Sequence, residues 1–159
     1  MTTLAETLLD LCTARNLQVA TAESCTGGLV AAAITDVAGS SNIFERGIVT
    51  YSNGAKVELL GVSADTLRAH GAVSEPVAQE MADGALRRSG ADIAVSVTGI
   101  AGPGGSDFKP EGRVCFGIAM QEQDTLTETV EFGPIGREHV RKRSRDHALK
   151  RLIEAAERR

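Results

Sequence analysis

The stretch "TAESCTGGLV" (residues 21–30) sets Glu23, Ser24, Cys25 and Thr26 side by side, four groups able to accept, donate or attack, ahead of the glycine pair Gly27 and Gly28. Two uses fit these residue types. Ser24 or Thr26 caps the helix that the following alanine-rich residues predict. Alternatively, a strand-to-helix turn lifts Ser24 above a sheet edge as a nucleophile, with helix-start amides to bind an oxyanion or a substrate anion. Cys25 is a rival nucleophile, because a thiol at a helix start has a lowered pKa. The stretch lacks G-x-S-x-G, so the hydrolase nucleophile elbow has no support.

A base for such a nucleophile is offered by "GIVTYSNGAKVELLG", where Tyr51 ends an expected strand and Lys56 falls in the first turn or so of a helix expected from Asn53. Lysine there is ordinarily a solvated surface residue, yet the positive end of a helix dipole disfavours its charge. If desolvated, it loses its proton more readily and becomes a neutral base for a serine. Tyr51 would relay the proton or orient the lysine. The histidines do not compete: His70 ends a short helix, and His139 and His147 lie in the basic tail helix.

Two stretches offer ligand contacts. "VSVTGIAGPGGSDFKPEGRV" begins as a strand and opens into a loop with Gly99, Gly102, Gly104, Gly105 and Gly112. Such glycines let backbone amides approach an anion, and an ordinary surface loop has the same composition. The P-loop and dinucleotide-binding patterns both fail here. In "GPIGREHVRKRSRDHALK", Arg137 and Arg141 are four apart and share one helix face. That run is either a solvated face or one wall of a phosphate pocket.

The elements that must position these residues follow from periodicity and punctuation. A helix is expected from Leu4 to Ala14, a buried strand in "NLQVATAE", a helix over "CTGGLVAAAITDV", a loop in "AGSSNIFERG" and a strand in "GIVTYS". Ser63 and Gly71 bound a short helix, and Ser74, Pro76 and the terminal "RRSG" bound a longer one. "ADIAVSVTGIAG" is a strand, "RVCFGIAMQ" and "LTETVEFG" form an antiparallel hairpin, and the tail is a long helix. The order predicts a single α/β domain over residues 1–159, three-layered α/β/α with a mixed central sheet. It does not give the strand order.

The totals agree with one globular domain: 159 residues, 42% hydrophobic and 24% charged. A formal net charge of −4 argues against a general nucleic-acid binder. No apolar run is long enough for a membrane span, and the N-terminal residues lack signal-peptide character, so a cytoplasmic location is expected. The three cysteines have no metal-ligand spacing and are expected as free thiols.

Taken together, "TAESCTGG", "AGSS..FERGIVTYSN.AK", "GAVSEPVA.EMA.GA", "VTGIAGP.GG....KP.G.V" and "R..VR" resemble the CinA C-terminal domain family, the nicotinamide-nucleotide amidases, over about Thr21 to Leu149. The chain begins just before the amidase helix and so resembles the family's stand-alone form. The resemblance implies hydrolysis of the carboxamide of nicotinamide mononucleotide to nicotinate mononucleotide and ammonia, without metal or organic cofactor. It implies Ser24 as nucleophile with Tyr51 and Lys56 as its partners. Substrate contacts are expected from Thr26, Gly27, Gly28, Thr98, Gly99, Gly102, Arg137 and Arg141, with Arg141 the best match for the phosphate. The loop "GPGGSDFKPEG" departs from the family pattern: it is one residue shorter, with Glu111 where a small apolar residue is usual. No nucleic acid or membrane partner is expected, and a homodimer is left open. A rival from another class is a non-catalytic nucleotide-binding regulatory module in which Ser24 only caps a helix.

Overall fold

In the computed structural model, which describes residues 1–106 and 108–159, the apolar stretches pair into one five-stranded sheet of order β2-β1-β3-β4-β5. The strands are β1 (Val19–Glu23), β2 (Phe44–Val49), β3 (Ile93–Gly99), β4 (Arg113–Met120) and β5 (Leu126–Glu131). β1 runs parallel to both β2 and β3, whereas β3–β4 and β4–β5 are antiparallel, so the sheet is mixed as expected. Asp107, in the glycine-rich stretch, lies outside the described residues.

The two faces of the sheet differ in side-chain size. Val19, Ile93, Val95, Val97, Val114, Phe116 and Ile118 project to one face and bury against α1 (Leu4–Arg15), α2 (Leu29–Thr35) and α6 (Arg137–Glu157). The opposite face is lined by Ala20, Ala22, Ala94, Ser96 and Gly117. It receives α5 (Glu75–Ser89), flanked by α3 (Asn53–Leu60) and α4 (Ala64–His70). Small residues let the α5 backbone come close. Ser96 donates its hydroxyl to the Ala78 carbonyl at 2.6 Å, and a Cβ on Gly117 would lie 2.6 Å from the same oxygen.

Local punctuation explains most boundaries. Ser63, Ser74 and Thr3 each accept from a backbone amide as N-caps, and Gly61 and Gly90 end their helices in the left-handed region. Three of the differences from expectation bear on the site. The helix expected over residues 25–37 is only Leu29–Thr35, because Gly27 (φ 56°) and Gly28 (φ 109°) turn the chain before it can enter the helix. The strand expected over residues 47–52 is Phe44–Val49, because parallel pairing with β1 begins at Val19↔Phe44 and ends at Glu23↔Val49. The cap of α3 is Ser52 rather than Asn53, its hydroxyl accepting from the Ala55 amide at 3.0 Å.

The crossover from β1 to β2 places α2 on one face, and the connection from β2 to β3 places α3, α4 and α5 on the other. In open α/β sheets a crevice forms at such a reversal, beyond the carboxyl ends of the strands. Ser24, Tyr51, Lys56 and Thr98 all follow or end those strands.

The α3–α5 contact leaves almost no space. A Cβ on Gly84 would sit 1.9 Å from the Leu60 carbonyl oxygen. Gly84→Ala removes a helix-interior glycine, which in the open would stabilise by about 1 kcal/mol. Overpacking here costs about 1–3 kcal/mol and outweighs it. Urea melts are expected to show a destabilised variant, and unchanged or increased stability would mean that α3 moves away freely.

Candidate active site

Ser24 leaves β1 at its carboxyl end with its backbone fixed on both sides. Its amide donates to the Val97 carbonyl on β3 at 2.9 Å, and the preceding carbonyl, that of Glu23, accepts from the Thr50 amide at 2.8 Å. Thr50 follows β2, and its own carbonyl accepts from Lys56 Nζ at 2.8 Å. The same Nζ lies 3.0 Å from Ser24 Oγ. Three segments of chain thus bring a hydroxyl and an amine together.

Lys56 is 1% exposed, and burial pushes its pKa down from 10.5 to about 8. As an ammonium it donates to both oxygens. As a neutral amine it still donates one hydrogen to Thr50 and turns its lone pair toward the serine hydroxyl. The pair can therefore move a proton from Oγ to nitrogen near neutral pH. Cys25 has the opposite setting: burial raises its thiol to about 12, so the lowered pKa expected for a helix-start thiol is not found. It is not at the helix start, which falls at Gly28, and its side chain joins the apolar core.

The cap expected from Ser24 or Thr26 is supplied instead by Glu23. Its buried carboxylate accepts from the Thr26 hydroxyl at 2.6 Å and from the amides of Gly28, Val30 and Ala31 at 3.2, 2.9 and 3.0 Å. Sequence reading gave Glu23 no such task; the available signal was a long acceptor a few residues ahead of a glycine-started helix. The Gly27 amide is also engaged, by the Ser24 carbonyl at 3.0 Å. Among the described residues no backbone carbonyl accepts from the Cys25 or Thr26 amide.

A cleft of about 380 Å³ opens over Ser24 and Lys56, lined also by Tyr51, Thr98, Gly99, Gly102 and Arg137. Thr26, Gly27, Gly28 and Arg141 do not line it. Tyr51 is 61% exposed, and its hydroxyl accepts from Arg137 Nη2 at 2.8 Å, not from Lys56. Arg137 Nη1 donates to the Gly102 carbonyl at 2.7 Å, so one arginine bridges two rims of the cleft. Arg141, one turn further along α6, donates to the Cys25 and Thr26 carbonyls at 3.1 and 3.2 Å and braces the serine turn from outside. Thr98 spends its hydroxyl on the Ala72 carbonyl at 2.8 Å. Ala72 and Val73, from a stretch given no role in sequence, complete the wall beside Asn53. Glu111 accepts from the Gly104 and Gly136 amides at 2.7 and 3.3 Å and joins the glycine-rich loop to the start of α6. Among the described residues no group of three His, Cys, Asp or Glu is arranged to hold a metal, and no helix is long and apolar enough to cross a membrane.

The buried amine couples stability to pH. Because the folded pKa of Lys56 lies below the unfolded value, the unfolded chain binds the extra proton between about pH 8 and 10.5. Stability from this group therefore rises with pH across that window, by about 3 kcal/mol in all. Denaturation of the wild type and Lys56→Met at several pH values is expected to show the wild type gaining that much on the variant as pH rises. Parallel curves would mean that the amine is not desolvated.

The CinA C-terminal domain model matches residues 1–156. A "CinA-like protein" of Chlorobaculum tepidum is 56% identical over 155 residues, 95% of this chain and 37% of that protein, so the chain spans little more than a third of that longer relative. A relative from Escherichia coli strain K12, named "Nicotinamide-nucleotide amidohydrolase PncC", is 54% identical over 140 residues, 87% of this chain and 84% of that protein. The crystal structure of competence/damage inducible protein CihA from Agrobacterium tumefaciens superposes with a TM-score of 0.92 at 48% identity, covering 95% of this chain and 92% of that one. A CinA superfamily structure from Klebsiella pneumoniae reaches 0.93 at 38% identity, covering 98% and 97%. With the family model covering almost the whole chain, the protein belongs to the CinA C-terminal domain family.

Proposed function

We propose that the chain is a nicotinamide-nucleotide amidase, converting nicotinamide mononucleotide and water to nicotinate mononucleotide and ammonia. The observation that carries the reading is the buried 3.0 Å approach of Lys56 Nζ to Ser24 Oγ, with the amine's pKa at about 8. The name of the Escherichia coli relative supports the substrate. Ser24 Oγ attacks the carboxamide carbon while neutral Lys56 takes its proton. The oxyanion is held by the amide of Cys25, which lines the cleft beside Ser24, since the amides of Gly27 and Gly28 are already engaged. Lys56 returns the proton to the departing nitrogen and ammonia leaves an acyl-enzyme. Lys56 then activates water, which releases the acid and restores Ser24. The pyridinium ring disfavours a nearby ammonium, and that too suits a neutral lysine.

Among the two candidate arginines, Arg137 is the better phosphate ligand, because it lines the cleft and Arg141 does not. Tyr51 then acts by holding Arg137 rather than as a proton relay. A cytoplasmic site of action goes with this reading, as do free thiols at Cys12, Cys25 and Cys115. The binding-module alternative needs Ser24 as a helix cap, and Glu23 already fills that position.

Ammonia release from nicotinamide mononucleotide tests the reading. Activity is expected in the wild type, lost in Ser24→Ala and largely kept in Cys25→Ala. The wild-type kcat is expected to rise with pH through a midpoint near 8, as Lys56 loses its proton. Lys56→Arg should be nearly inactive, because guanidinium stays protonated in this range. A folded wild type that releases no ammonia would remove the amidase assignment, and an active Lys56→Arg enzyme would remove the lysine as base.

The two arginines separate by substrate. A charged hydrogen bond to phosphate is worth about 1.5–3 kcal/mol, so Arg137→Ala should lose roughly 10- to 100-fold in kcat/KM for the mononucleotide. It should lose little for nicotinamide riboside, which has no phosphate. Arg141→Ala should lose similarly on both, because it braces the serine turn. The reverse pattern would return the phosphate to Arg141.

A further inference from the structure

We infer that Glu23 is a positioning residue for the nucleophile: its carboxylate shapes the turn that aims Ser24 Oγ at Lys56. The inference rests on Ser24 being the reactive group, and goes beyond it in assigning the aim of Ser24 to its neighbour. Glu23 is the last residue of β1, is 0% exposed, and pairs with Val49 on one side and Val97 on the other. Its backbone carbonyl fixes the Thr50 amide, and the Thr50 carbonyl fixes Lys56 Nζ. Its side chain reaches forward over the turn and binds the Thr26 hydroxyl and the Gly28, Val30 and Ala31 amides. One residue is thus tied to the base through its main chain and to the nucleophile's turn through its side chain.

The residue type is demanding. Three of the four partners are backbone N–H groups, which can only donate, and the fourth is a hydroxyl 2.6 Å away. A carboxylate presents acceptors alone, whereas glutamine would turn an NH₂ against an N–H. Aspartate is one methylene too short to span from the strand end to the amide eight residues on. No Lys or Arg forms an ion pair with Glu23 among the described residues. The charge is held by amide dipoles, where charge-assisted bonds are short and strong. Losing them leaves residues 24–28, with two left-handed glycines, free to re-aim Ser24. A small misplacement of a reacting atom is enough to slow chemistry greatly.

The test compares wild type, Glu23→Gln, Glu23→Asp and Thr26→Val, each below its own melting temperature and confirmed folded by circular dichroism. Two rates are read: labelling of Ser24 by a fluorophosphonate, with Ser24→Ala as control, and kcat and KM on nicotinamide mononucleotide. Glu23→Gln and Glu23→Asp are expected to slow labelling and kcat about 10- to 100-fold with KM little changed. Thr26→Val, which removes one neutral donor and spares the fold if the others do not, should slow both several-fold. The rise of kcat with pH should keep its midpoint near 8, because Lys56 stays buried. Folded variants that label Ser24 at the wild-type rate would overturn the inference, and so would a raised KM with kcat unchanged. Labelling needs no substrate, so a wild type that labels at Ser24 yet releases no ammonia would count against the amidase reading alone.

Discussion

A primary amine with almost no access to water sits between two oxygens, and the site is built around keeping it there. Burial disfavours the charged form of Lys56 and brings its proton into reach of neutral pH. Three constraints hold the amine in place. The Thr50 carbonyl anchors it, and Thr50 is itself fixed by the end of the β1–β2 pairing. The Ser52 cap starts α3 four residues before it. Behind α3, the Gly84 surface of α5 lets the Leu60 carbonyl come within contact distance. A cation near a helix start is locally unfavourable. Here that local penalty works in the same direction as desolvation.

The asymmetry of the sheet serves the same end. Branched and aromatic residues fill the face toward α1, α2 and α6 and form the larger core. Alanine, serine and glycine on the other face bring α5 close, and with it α3 and α4, whose ends and connections line the cleft. The cleft thus lies where the chain passes from one layer of helices to the other, a consequence of the 2-1-3 strand order.

Features encoded within a few residues were readable without coordinates. The Ser63–Gly71 and Ser74–Gly90 helices, the terminal hairpin and the α/β/α layering follow from caps, glycines and alternation. Ser24 and Lys56 could be singled out because their types suit acyl transfer. Their meeting at 3.0 Å depends on pairing across 32 positions, which no local pattern carries. Glu23 was opaque for a related reason: its amide partners stand five, seven and eight residues ahead, at or beyond two left-handed glycines. Arg137 and Arg141 share a helix face, but a shift of one turn, about 5.4 Å, separates the cleft rim from the back of the serine turn. Spacing alone gives both the same address.

The thiol of Cys25, adjacent in sequence to the proposed nucleophile Ser24, has a consequence for the conditions in which the site can work. Oxidants and electrophiles attack thiolates that are exposed and of low pKa. Cys25 is buried with its pKa at about 12, so it stays protonated and shielded. Cys12 and Cys115 are also buried, with raised values. Peroxide that would silence a cysteine hydrolase therefore meets at this turn a hydroxyl, an amine and a protonated thiol that is only 5% exposed where its residue borders the cleft.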